Sequence, residues 1–490
     1  MIPFSHTRIQ SLHAKSALSG TGAPRDPLVC AGECTRYRAV VRTFRGTSAL
    51  TEDRLTTALA PALTRDGLID APSFFHGFAA HPQVLARGLV TLADVTATRY
   101  FQHAPTTFRD PVLTAHGDRL RAECFSACNG VYARLDLLGD AFDSGELGHG
   151  TTNVDIGADL RSALSNLPPT ALLHLDIGID GLTASTPEST TSERPVQMPD
   201  RWVRALGNVA ELHHDLVPLL TLDAAESRAF IGGLPPVTGK EQTGWLTRVR
   251  GTVRLAPRPA GPGLHLAGLH RLTAFKRLLT NVRGMTFSGV AQPHPGPVVV
   301  AADLPGARLT LGLTVETWRG YSGEGALLPS LAGATVTLDA DLVSALLAFE
   351  PVIDVAQLAA NAGLSPERVR AALAVLASSG RVGWDVHEGA YFHRELPDNP
   401  DRVTKDNPRL AAARTLVTAN AVVAQPGSRT TWTVRSSGGD HQVRLCDTAL
   451  DEADPTHGAR CTCTWYLSHG GNRGPCKHVL AVQLVLGGSR

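Results

Sequence analysis

Cys461-Thr462-Cys463, twelve intervening residues, and then Cys476-Lys477-His478 set three thiols and one imidazole in two close pairs. Four soft or borderline ligands suit a tetrahedral Zn²⁺ whose shell is closed to substrate. Each pair can grip one edge of the tetrahedron from a short turn. The spacer carries Gly470, Gly471 and Gly474, so it folds back without strain. A closed Cys₃His shell is structural rather than catalytic. The expected ligands are Cys461, Cys463, Cys476 and His478, with Zn²⁺ as cofactor.

The flanks extend this reading. Trp432–Arg435 and His441–Leu445 are β-type runs on either side of Ser436-Ser437-Gly438-Gly439-Asp440, a hairpin signal. Val479–Leu486 is an apolar helical stretch that stops at Gly487-Gly488. Hairpin, ligands and closing helix make a ββα module whose core is too small to fold without metal. In order, spacing and context, residues 430–488 resemble the SWIM zinc finger family of bacterial proteins, matching it at all four ligand positions. The resemblance implies zinc binding together with DNA binding or protein–protein interaction.

At 490 residues the chain exceeds a single core, and its pattern reads as an α+β multidomain protein. The expected segments are 1–186, an α+β region; 200–330, a second α+β unit; 338–396; and 430–490, the finger. The start, Met1-Ile2-Pro3-Phe4, has no signal-length apolar run, and no stretch of eighteen apolar residues offers a membrane span. Eight cysteines, three of them given to zinc, do not make a disulfide framework, so a reducing cytoplasm is expected. Cys30, Cys34, Cys124 and Cys128 form two C-x₃-C pairs, a second metal site if they meet and small buried hydrophobes if not.

Net charge is +1, but it is unevenly spread. Residues 240–283 hold nine basic side chains against Glu241, a local +8 that leaves −7 elsewhere. Within them Leu269–Arg283 reads as an amphipathic helix, with Leu269, Leu272, Phe275, Leu279 and Val282 on one face. Arg271, Lys276, Arg277 and Arg283 on this helix, with Arg473 and Lys477 on the finger, are the expected contacts to nucleic acid, DNA before RNA. Phosphate contacts need charge, not sequence.

Residues 338–396 look like a winged helix-turn-helix. The expected helices are Asp341–Phe349, Asp354–Asn361 and one started by Ser365-Pro366, followed by strands Arg381–Val386 and Ala390–Arg394. The third helix offers only Arg368 and Arg370 as long donors, too few for base-edge readout. Earlier, helices are expected over Thr51–Leu63 and Pro82–Tyr100, hairpins from Pro111 to Leu137, and a surface loop or linker over Pro187–Pro199. Helix followed by meander occurs there and again from Leu269 to Glu316, which looks like the repeating unit of DNA sliding clamps.

Gly233-x₅-Gly239-Lys240-Glu241 imitates a phosphate loop but has Glu where Ser or Thr should hold Mg²⁺. His213-His214-Asp215 and His174-x-Asp176 are candidate acid–base or metal pairs, or plain hydrogen-bonders, without a supporting catalytic motif. The chain therefore reads as a zinc-stapled, non-catalytic nucleic-acid-binding protein. The alternative is a protein-interaction adaptor within a larger bacterial complex.

Overall fold

Strands dominate the described residues from Phe75 to Leu313, where apolar and polar side chains often alternate with the period of a pleated sheet. The computed structural model describes residues 73–488 and four short strand segments before them. Residues 103–109, 239–240, 260–262, 292–293, 333–335, 397–406 and 447–457, with positions 169, 179, 197, 348 and 395, lie outside the description. Cys30, Cys34 and Lys240 fall outside it as well.

Eight antiparallel strands form the central sheet. Their order is His149–Asn153, Val112–His116, Leu120–Phe125, Val131–Leu137, Ala307–Leu313, Val298–Leu304, Gly284–Gly289 and Val217–Asp223. The two expected meanders thus join edge to edge, with Ala133 opposite Leu311 at the seam. A second sheet orders Thr190–Glu193, Gly181–Ser185, His174–Gly178, Phe75–Ala79 and Phe142–Leu147. The stretch 187–199, expected as a surface loop or linker, therefore supplies an edge strand. The helix expected over Thr51–Leu63 is absent at Leu55–Thr56 and Ala62–Thr64, which are strands.

The two faces of the central sheet differ in chemistry. Ala122, Cys124, Ala133, Leu135, Leu309 and Leu311 are buried with helix α1, Pro82–Ala97, where Cys124 Sγ donates to Leu92 O and Leu135 abuts Gly88. A 3₁₀ helix, Leu269–Leu278, lies beside α1. On the other face Arg121, Glu123, Arg134 and Asp136 are at most 2 % exposed, though their alternation reads as a solvent face. What covers them is the hairpin Val382–Asp385/Ala390–His393.

That hairpin follows three helices, Val336–Leu346, Val355–Ala362 and Pro366–Ser378. Ser365 caps the third, and Gly363 at φ +65° turns the chain before it. Asp385 bridges Arg121 (2.6 Å) and Arg134 (2.8 Å), both of which also pair with Asp136 at 2.9 and 2.8 Å. Arg394 is bidentate to Glu123, and the Phe392 ring lies 3.9 Å from the Arg121 guanidinium carbon. From Ala372 to Gly380 the third helix and its end are buried apart from half-buried Val375.

Candidate metal centre

Each ligand is placed by a different local device. Cys461 sits on the short strand Arg460–Cys461, opposite Val443 of the hairpin strand Gly439–Arg444. Cys463 begins the helix Thr464–His469, its Sγ accepting from Tyr466 N at 3.4 Å. Part of the expected spacer loop is thus helical. Cys476 and His478 stand at the start of the closing helix Lys477–Gly488. Gly474, at φ +76°, cannot be replaced, since a Cβ there would lie 2.2 Å from Gly325 O.

The four ligand atoms lie within 4.8 Å of one another, and all four residues are buried. His478 Nδ1 is 3.8 Å from Cys461 Sγ and 4.0 Å from Cys476 Sγ. A tetrahedron built on Zn–S near 2.3 Å and Zn–N near 2.0 Å has edges of roughly 3.5–3.8 Å, so a small contraction closes the shell. His478 Nε2 meets Ser436 Oγ at 3.3 Å, which fixes the ring with Nδ1 toward the sulfurs. Three crowded thiols share protons unequally: the hydrogen bond from Cys461 holds Cys476 down to about 4, while making that bond, with burial, pushes Cys461 up. A divalent cation replaces such shared protons. These side chains are the one group of three or more potential metal ligands among the described residues. Cys124, by contrast, is buried beneath α1.

The finger is larger than a ββα unit. Val422–Ala424, Thr431–Ser436, Gly439–Arg444 and Arg460–Cys461 form a four-stranded sheet, and the helix Pro408–Thr418 packs on the closing helix. The sequence from Leu410 to Ala424 reads as one connecting helix, but the helix stops at Thr418. Leu480 and Ala481 share a buried cluster with Leu410, Leu327, Leu328 and Leu331 of the body.

The six expected nucleic-acid contacts separate. Arg271 is 1 % exposed and donates to Ala267 O, Gly130 O, Thr314 O and Thr314 Oγ1. Burial pulls its guanidinium down to about 10. It ties the 3₁₀ helix to the sheet and reaches no ligand, so the helical-face assignment is corrected at this residue. Arg473 is half-buried, donating to Gly323 O at 3.2 Å, where the finger loop docks on the body. The turn at 318–325 makes the other half of that dock: Arg319 is bidentate to Glu324 and donates to Asn472 O. Lys276, Arg277 and Arg283 are exposed, and Lys477 is half-buried beside the zinc ligands.

Lys276 and Arg277 have company that the sequence does not reveal. Arg87 on α1 and Arg161 on the helix Ala158–Ser165 converge with them around two adjoining clefts of about 320 and 570 Å³. Asp94 is the carboxylate among them, paired with Arg161 and, at 2.6 Å, with Arg277. His213 does not serve as a base candidate: burial lowers it to about 3, and its Nε2 meets Tyr321 Oη at 2.9 Å.

Residues 457–487 match the family model of the SWIM zinc finger. No curated protein matches the chain. Among solved structures, about half the chain (49 %) aligns with a proliferating cellular nuclear antigen from Entamoeba histolytica at 15 % identity and TM-score 0.34, covering 98 % of it. A PCNA2–PCNA3 complex from Sulfolobus tokodaii aligns over 49 % of this chain and 98 % of that one, at 9 % identity and TM-score 0.36. PCNA of A. fulgidus, solved with the C-terminal region of FEN-1, aligns over 49 % and 97 %, at 12 % identity and TM-score 0.36. No described helix is long and apolar enough to cross a membrane.

Proposed function

We propose that this zinc-stapled protein is a non-catalytic nucleic-acid-binding protein whose contact surface is the helical side of the body rather than the finger tip. The observation that carries the reading is the convergence of Arg87, Arg161, Lys276 and Arg277, from three separate elements, around adjoining clefts. Among the described residues lining those clefts, Asp94 is the one acidic group that offsets their charge. Such a surface recognises phosphate by charge and is indifferent to sequence. Two meanders joined in one sheet, with α1 and the 3₁₀ helix against it, support a clamp-like reading of the body. Residues 336–393 read as a winged-helix-type unit serving as a brace. Burial of the third helix from Ala372 onward, and the pairing of Arg368 with Asp339, take it out of groove reading.

The test is a duplex-DNA titration at two salt concentrations on zinc-loaded protein. Lys276→Gln with Arg277→Gln should weaken binding similarly for unrelated sequences and reduce the log–log salt slope by roughly 1–2. Affinity unchanged by salt or by the double substitution refutes the proposal.

A second reading, the adaptor, has its own observation. Leu338, Leu342 and Leu346, spaced by four on the helix Val336–Leu346, are 76, 43 and 38 % exposed. An uncovered leucine stripe suits a protein partner. Partners retained after nuclease treatment and lost on Leu338→Glu with Leu342→Glu would favour it.

A further inference from the structure

We propose that the cavity beside the metal centre is a nucleotide site that recognises a phosphate group; this rests on the nucleic-acid reading above and adds a ligand to it. The cavity measures about 470 Å³ and has Cys463, Cys476 and His478 in its wall, so it opens onto the metal and the ion takes part of that volume; the remainder lies within the range of small-molecule sites. Arg409, His441 and Lys477 line it from three elements: the first turn of helix Pro408–Thr418, the hairpin strand, and the head of the closing helix. Among the described residues no aspartate or glutamate lines it. Both helices begin here, so the positive ends of two macrodipoles add to the side-chain charge. Ser437 supplies a hydroxyl group, Ser436 being engaged by His478 Nε2 and Gly439 O, and Trp465 makes an aromatic wall with the Arg409 guanidinium carbon 4.6 Å from its ring centroid. Cationic donors, a hydroxyl and a stacked guanidinium–indole pair together suit a phosphate joined to a base, the phosphate drawn to the charges and the base to the planar stack.

The plainer role for these cations is balancing a zinc centre. Zn²⁺ with three thiolates carries one net negative charge, which a single cation offsets. Arg409 and Lys477 bring two, and Arg409 already spends one amino group on Arg473 O and Pro475 O. The second cation is available to an anion from outside the chain.

The experiment uses zinc-loaded full-length chain and the variants Lys477→Gln and Ser437→Asp, with zinc content measured for each. Probes are AMP, adenosine, inorganic phosphate, a phosphoserine peptide, and a short single-stranded oligonucleotide with and without a 5′-phosphate. AMP or the phosphorylated oligonucleotide should bind well above adenosine and the unphosphorylated strand, and each variant should lose tenfold or more while keeping its zinc. Preference for AMP identifies a free nucleotide as ligand; preference for the phosphorylated strand identifies a strand end. Equal affinity in both variants, preference for the phosphoserine peptide, or loss of zinc in Lys477→Gln overturns the site. Duplex binding followed in parallel separates the two readings. If it fails while AMP binding holds, the helical-surface reading falls and the cavity stands; the reverse pattern overturns the cavity alone.

Discussion

Arg271 and Arg283 sit on one basic run and meet opposite fates, because the groups around each decide what its charge does. Arg271 enters a gap where the carbonyls of Gly130, Ala267 and Thr314 converge, and its guanidinium satisfies all three. Arg283 lies past the end of the 3₁₀ helix in solvent. Arg271→Ala should therefore cost roughly 3–5 kcal/mol, since it strips donors from three buried acceptors. Arg283→Ala should move stability by less than about 0.5 kcal/mol. Urea denaturation of the two variants checks both, and equal midpoints would remove Arg271 from the packing of the body. At the finger, Cys461→Ser and Cys476→Ser should each abolish stoichiometric zinc, measured by metal analysis of purified protein. These ligands were legible in the sequence because their chemistry is local: the pairs lie one residue apart and need only a turn to meet. Ser436, which orients His478 across 42 residues, had no such signal. Nor had Arg87 and Arg161, which reach the 3₁₀ helix only through the fold.

Among the elements, the hairpin Val382–His393 shows most clearly where sequence patterning stops. Its strands, their turn and the three helices before them were readable from caps and periodicity. Its use was not. Arg121-x-Glu123 and Arg134-x-Asp136 place charges on one face of a strand, a pattern equally produced by water and by counter-charges more than 200 residues away. Here Asp385, Phe392 and Arg394 take the place of water. A buried pair of this kind specifies a docking geometry, and breaking one half is costly. Glu123→Gln should lose roughly 3–5 kcal/mol by leaving Arg394 uncompensated, and adding Arg394→Met should restore part of it. A fully additive double variant would mean the pair carries no coupling. Acid should act at the same place. Against their burial, Arg394 holds Glu123 and Arg134 holds Asp385 below the usual carboxylate range. Their contribution is thus present above about pH 4 and lost as pH falls further. His213 and His393, each lowered to about 3 by burial, begin to lose stability earlier. The unfolded chain takes up their protons from roughly pH 6.5 downward. Denaturation midpoints at pH 7.5, 5.5 and 4.5 should fall in that order, and His213→Gln should flatten the first part of the decline. A level profile would contradict the assignment of neutral buried imidazoles.

Across the whole molecule, zinc does more than close a small module, because the finger's last helix is also a wall of the body. Leu480 and Ala481 bury against Leu327, Leu328 and Leu331, while two residues before them His478 holds the metal. Around that seam Arg319 donates to Asn472 O, Arg409 to Arg473 O and Pro475 O, and Arg473 to Gly323 O. Every one of these carbonyls except Gly323 O belongs to the loop that the metal closes, and Gly474 presses on Gly325 without room for a side chain. Removing zinc should therefore release both the loop and the leucines it covers. A self-contained finger would lose only its own fold. Chelation is expected to raise hydrogen exchange at residues 318–331 and 408–418 as well as at 458–488, and to expose new protease sites near Leu327. The central sheet, whose strands Val112–His116, Leu120–Phe125, Val131–Leu137 and Ala307–Leu313 are buried on both faces, should keep its protection there. Exchange that rises only within 458–488 would show the finger to be an independent appendage, and the seam to be a contact without energetic weight.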